Sequence, residues 1–155
     1  MIKTPLKSLK YLIIASLLII FSKISIAEEF GTKEEALELL DRTVNLVKDD
    51  RNRALDLFTS GEGGLIVKDL YPFCLDNNGI LLAHPTNVGR NVYNVKDSNE
   101  KLVGKSMIEA AKYGEVNEVD IMIARLTTDD EKLYKKTQLV TKVSNLVCVV
   151  GFYSQ

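Results

Sequence analysis

The chain has 155 residues, with 20 Lys+Arg against 21 Asp+Glu, one histidine, two cysteines and no tryptophan. That length is enough for a substantial hydrophobic core, and two cysteines without metal-ligand spacing exclude a zinc module. A net charge of −1 with no basic stripe makes nucleic acid and anionic lipid poor partners, and neither is expected.

Residues 1–27 read as an export signal. Lys3, Lys7 and Lys10 form a basic start, Tyr11 to Phe21 an eleven-residue apolar core, and Ser25-Ile26-Ala27 a small-residue cleavage site before Glu28. The apolar run is shorter than the roughly 20 residues a spanning helix needs, and Lys23 follows it, so cleavage is expected over an uncleaved anchor helix. The segment holds four lysines and no acid, which leaves 16 cations against 21 acids, near −5, in residues 28–155. Those 128 residues are expected to form one domain, periplasmic or secreted.

Thr32-Lys33-Glu34-Glu35 has the form of a capping box. Leu37, Leu40, Val44, Val47, Ala54 or Leu55, and Phe58 follow at helical spacing, predicting one long helix to Thr59, where Ser60-Gly61-Glu62-Gly63-Gly64 ends it. Its Lys48–Arg53 stretch reads as a solvated face. Strands are predicted over 70–76 and 80–84 around the turn Asp76-Asn77-Asn78-Gly79. A loop over 85–100 leads to a second helix, Leu102 to Lys112, stopped by Gly114. Three strands follow at about 116–126, 132–143 and 146–153, with turns at Asp129-Asp130 and Ser144-Asn145. Helix, hairpin, helix and meander in that order predict an α+β domain: an antiparallel sheet of about five strands flanked by helices.

Side chains alternate across a strand, so register predicts faces. Pairing Tyr71 with His84, Phe73 with Leu82 and Leu75 with Ile80 puts those six residues on one face, and Leu70, Pro72, Cys74, Leu81 and Ala83 on the other. Closing Val143 against Leu146 places Lys136, Gln138, Val140, Val149, Gly151 and Tyr153 together. Thr137, Leu139, Val143, Leu146, Cys148, Val150 and Phe152 then share the apolar face suited to the long helix. The first of these two sets mixes a cation, an amide, a glycine and a phenol with small apolar residues, the composition of a small-molecule pocket. Cys74 and Cys148 both fall on the core side. If the first and last strands are neighbours a disulfide is feasible, although buried thiols are the expectation.

Several ordered pieces carry a family resemblance. They are Gly31-Thr32-Lys33-Glu34-Glu35-Ala36 opening the helix, Asp69-Leu70-Tyr71-Pro72-Phe73, Asp76-Asn77-Asn78-Gly79, Ala83-His84-Pro85, Val88-Gly89-Arg90-Asn91, Asp97-Ser98-Asn99-Glu100-Lys101, Lys136, and Val149-Val150-Gly151-Phe152-Tyr153. Together they resemble the single Cache domain family, second subtype, over about Phe30 to Tyr153. The resemblance implies a PAS-like fold used outside the cytoplasm to bind small metabolites, often amino acids or short carboxylates. It also implies signalling, including chemotaxis, through a partner such as a membrane-bound sensor kinase or chemoreceptor. The chain departs from the family in having Val119-Asp120-Ile121-Met122-Ile123 where aromatic residues are usual, and Leu139 where a tyrosine is usual. Pro72 lacks a ladder donor and suggests a bulge at its own position.

Lys136 is the first candidate for a ligand anchor, since a shielded ammonium holds a carboxylate. His84 either donates to the same anion or braces the Pro85–Gly89 loop. Tyr71 and Phe73 are pocket wall or core, Arg90 and Asn91 supply loop donors, and Tyr153 completes the set. A lone histidine without a partnered nucleophile gives no catalytic triad, and no phosphate loop, dinucleotide fingerprint or heme motif is present, so neither an enzyme nor a cofactor is expected. The expected function is sensory binding of a small organic acid or amino acid. The alternatives are a ligand-free module docking on a membrane sensor, or a secreted enzyme using His84.

Overall fold

The computed structural model describes residues 30–125 and 131–153. The export signal and the Asp129-Asp130 turn lie outside the described residues.

Helix α1, Lys33–Asp49, begins at the expected capping box: the Thr32 hydroxyl accepts the Glu35 amide and the Glu35 carboxylate accepts the Thr32 amide. The expected single long helix is instead two. Asp50 leaves the helical conformation, and its carboxylate accepts the Arg53 amide at 3.1 Å, capping a second helix, α2, Arg51–Ser60. An aspartate competes for backbone amides and is poor inside a helix but good at its start, so it breaks a pattern that apolar periodicity alone reads as continuous. Gly61, left-handed at φ 73°, ends α2. The buried stripe of α1 is Ala36, Leu39, Leu40, Thr43 and Val47, displaced from the expected one, and Leu37 is exposed. Thr43 is accommodated because its hydroxyl donates to the Leu39 carbonyl.

Strands β1 (Pro72–Leu75), β2 (Leu81–Ala83), β3 (Asn117–Ala124), β4 (Leu133–Val143) and β5 (Leu146–Tyr153) form one antiparallel sheet in the order β2-β1-β5-β4-β3. A third helix, α3, Val103–Ala110, lies between β2 and β3 in the chain. This is the expected α+β architecture. The β4–β5 hairpin closes in the expected register, Val143 against Leu146. Its apolar face, with Leu139, Cys148 and Val150, packs with Leu40, Val47 and Phe58 under α1 and α2. The opposite face carries Phe73, Leu75, Val119, Ile121, Val140, Val147 and Val149 and meets Met107 of α3.

The β1–β2 hairpin departs from the expected pairing. Cys74 opposes Ala83 and Leu75 opposes Leu81, with a bulge between the two pairs. The extra residue is Leu82, which packs toward the α1/α2 side, while Leu81 joins Phe73 and Leu75 on the other face. The bulge is therefore not at Pro72. That proline opens β1 in regular register with Val150, a strand position where a missing amide is tolerated.

β1 and β5 are neighbours, the condition a disulfide requires, and Cys74 stands directly opposite Cys148 with 4.2 Å between Cα atoms. The two are joined by a disulfide, not held as the expected buried thiols. Directly opposed residues of an antiparallel pair project to the same side, and here both sulfurs lie in the core under the helices.

Candidate functional site

The register of the sheet builds the site. Lys136 of β4 faces Ile121 across β3 and Tyr153 across β5, and Gln138 faces Val119 and Gly151. All project to the face away from α1 and α2. Tyr71, Phe73 and His84 reach that face from the first hairpin, because the bulge that moves Leu82 leaves His84 on the same side as Phe73. Their rings cluster, His84 lying 5.3 Å from Tyr71 and 5.4 Å from Phe73 between centroids.

These residues line a cavity of about 350 Å³. Its walls are mainly apolar, with Leu81, Val103, Met107 and Ile121 prominent, and Arg90, Lys96 and Asp97 also line it. Asp76 shapes the approach by accepting the Asn78 and Ile80 amides, which fixes the turn before β2. Asn91 serves the same scaffold. Its amide donates to the Asn78 carbonyl and accepts the Tyr93 amide, so it stitches the loop to the turn and does not line the cavity. Of the seven expected binding residues, the structure gathers Tyr71, Phe73, His84, Arg90, Lys136 and Tyr153 at the cavity and leaves Asn91 outside it.

Lys136 is the polar centre. It is 3% exposed, and its ammonium lies 4.7 Å from the Tyr71 ring centroid and 4.6 Å from that of Tyr153. Cation–π contacts of this kind contribute about 1–2 kcal/mol each when desolvated. No described residue gives this ammonium a hydrogen bond or ion pair. Burial pushes its pKa down to about 8, with the charge of Asp69 opposing the shift. The group is thus protonated at neutral pH and poorly neutralised.

His84 is buried and neutral. Its Nδ1 accepts the Thr86 amide at 3.1 Å, which puts the ring proton on Nε2, and burial together with the Lys136 charge lowers its pKa to about 4. The imidazole both braces the loop and offers a neutral donor. The phenol of Tyr71 is pushed well above its ordinary range by burial, and by Tyr153 and Asp69, so it stays un-ionised.

Gly151 makes room for these groups. A Cβ there would lie 2.4 Å from Gln138 Oε1 and 2.6 Å from Lys136 Cε. Gln138 is buried and its Oε1 has no hydrogen-bond partner, so the amide is a further polar contributor at the cavity. The period-2 pattern put Gln138 on the Lys136 face, and that signal is enough to nominate it. Arg125 had no such signal. It is buried just past β3, with its guanidinium 3.7 Å from the Phe30 ring centroid and 4.8 Å from that of Tyr153. Among the described residues no His/Cys/Asp/Glu group could hold a metal ion, and no helix is long and apolar enough to cross a membrane.

Comparison with known proteins agrees with the fold. The family model of the Cache domain matches residues 64–155. A methyl-accepting chemotaxis protein from Vibrio parahaemolyticus superposes with a TM-score of 0.63 at 19% identity, covering 92% of this chain and 96% of that one. A periplasmic sensor domain of a chemotaxis protein gives 0.57 at 16% identity, over 98% of this chain and 100% of its own. A Cache chemosensory domain studied for carboxylic acid recognition gives 0.55 at 15% identity, again over 98% and 100%. At these identities the likeness is one of fold. No curated protein matches the chain.

Proposed function

This chain belongs to the Cache domain family, and we propose that it is an extracytoplasmic sensor domain that binds a small organic anion on Lys136. The observation that carries this reading is a buried ammonium, without an ion pair among the described residues, at an apolar-walled cavity of about 350 Å³. A buried charge is costly unless it is paired, and an incoming carboxylate supplies the pair. The Nε2 proton of His84 and the Gln138 amide then hydrogen-bond the anion, while Phe73, Met107 and Ile121 enclose a short apolar chain.

Between a simple carboxylate and an amino acid, the cavity favours the carboxylate. Its lining acid is Asp97, and both carboxylate oxygens are engaged by the amides of Asn99, Lys101 and Met122. An α-ammonium group would meet the like charge of Lys136, with the Asp97 oxygens already committed to three backbone amides. The related Cache domain studied for carboxylic acid recognition is consistent with this preference. Binding is read out through a membrane-bound partner, a sensor kinase or chemoreceptor, reached after export by residues 1–27.

The test is a melting-temperature screen of the purified protein against small carboxylates and their matched amino acids. Saturable stabilisation by carboxylates, lost in Lys136→Met, is expected. No stabilisation by any compound, together with co-purification of a membrane sensor, would overturn the ligand reading in favour of a docking module.

A further inference from the structure

Gln138 stands two residues from Lys136 on the same face of β4, is 4% exposed, and lines the cavity. Of the buried side-chain polar atoms left without a hydrogen-bond partner among the described residues, its Oε1 is the one at the cavity. The described residues give its Nε2 no partner either. Buried amides are ordinarily paired, because each unpaired end forfeits the water it gave up. The sheet cannot supply the pair here: the neighbour across β3 is Val119 and the neighbour across β5 is Gly151.

The amide and the ammonium stem converge on one spot. The Cβ position that Gly151 leaves empty lies 2.4 Å from Gln138 Oε1 and 2.6 Å from Lys136 Cε. An anion held by Lys136 therefore arrives against the amide. A primary amide has a donor end and an acceptor end. A plain carboxylate offers acceptors only, so it satisfies Nε2 and leaves Oε1 alone. A hydroxyl on the carbon beside the carboxylate supplies the missing donor without adding charge, whereas an α-ammonium group brings a second cation to Lys136.

We propose that Gln138 reads a hydroxyl on the bound anion, so that the cavity takes 2-hydroxycarboxylates in preference to the plain acids. This deepens the reading of Lys136 as anion anchor and rests on it. Nε2 donates to the carboxylate and Oε1 accepts the ligand hydroxyl. Oε1 is packed over Gly151 in the empty protein, and the terminal torsion of glutamine is broad and near two-fold, so the amide can turn its oxygen to the ligand. Other acceptors at the cavity are occupied: His84 Nδ1 holds the Thr86 amide, and the Asp97 oxygens hold three backbone amides.

The test is calorimetric titration of the full chain at neutral pH with propionate, both enantiomers of 2-hydroxypropionate, and 2-fluoropropionate, in which fluorine has nearly the size of the hydroxyl but no proton to donate. One hydroxy acid is expected to bind about tenfold or more tighter than propionate, with 2-fluoropropionate no better than propionate. In Gln138→Met that advantage is expected to vanish while propionate binding persists. Equal affinity for propionate and both hydroxy acids, a fluoro acid as tight as the better hydroxy acid, or an advantage unchanged in Gln138→Met would overturn the hydroxyl reading alone. If Gln138→Met does not fold, the four acids on the wild type decide by themselves. Failure of the anchor reading looks different: none of the four acids binds, or all bind undiminished in Lys136→Met, and the hydroxyl reading falls with it.

Discussion

The Lys136 ammonium lies 4.6 Å from the ring of Tyr153, its direct partner across β4 and β5, with no described acid paired to it. Such a group stabilises a complex at the expense of the empty fold. Lys136→Met is therefore expected to abolish anion binding while stabilising the unliganded protein by about 1–3 kcal/mol, as replacement of buried charges by apolar groups often does. The sign can be checked against pH. The folded pKa is about 8 against an ordinary 10.5, so between those values the unfolded chain binds more protons and stability rises with pH. Urea unfolding across that window should show this rise in the wild type and lose this component in Lys136→Met.

His84 gives the opposite end of the pH scale. Its folded pKa is about 4 against an ordinary 6.5, so the neutral ring supports the fold fully above 6.5. That support fades as acidification protonates the unfolded chain first, down to about 4. His84→Asn, which can still accept the Thr86 amide, should flatten the stability profile over this interval by about 2 kcal/mol. Identical slopes in the two proteins would show that burial of His84 is not what governs the profile.

Gly151 tests the shape of the site separately from its charge. Gly151→Ala brings a Cβ against Gln138 and Lys136, and overpacking of this kind costs about 1–3 kcal/mol. A folded but less stable protein with sharply weakened ligand binding is expected. Binding at wild-type strength would mean that the position of Lys136 is not critical.

The Cys74–Cys148 disulfide closes a sequence separation of 74 residues, a constraint worth roughly 4 kcal/mol on chain-entropy grounds. The Cys74→Ala/Cys148→Ala double variant should unfold at markedly lower denaturant than the wild type. A midpoint equal to that of the wild type would mean the bridge adds little beyond the packing around it.

Much of this site was legible in the residues because strands alternate by two. A single register, Val143 against Leu146, sorted Lys136, Gln138, Gly151 and Tyr153 onto one face, and the structure keeps them there. Where the reading failed, a local competition decided the outcome. Asp50 captures the Arg53 amide and divides one helix into two, although the apolar spacing continues through it. The bulge at Leu82 exchanges Leu81 and Leu82 between faces, and hydrophobic residues of equal size give no warning of such a slip. Asn91 looked like a loop donor, but both ends of its amide are spent on Asn78 and Tyr93. The disulfide needed the register of β1 against β5, a long-range pairing that neither hairpin reveals alone. Arg125 meets the site only through its tertiary contact to the Tyr153 ring.

The most direct measurement is calorimetric titration of the wild-type protein with propionate and with alanine, below and above the Lys136 midpoint of about 8. The account predicts saturable binding of propionate that weakens as Lys136 loses its proton, takes up protons near the midpoint, prefers propionate to alanine and vanishes in Lys136→Met. Undiminished carboxylate binding in Lys136→Met, or alanine bound in preference to propionate, would contradict it.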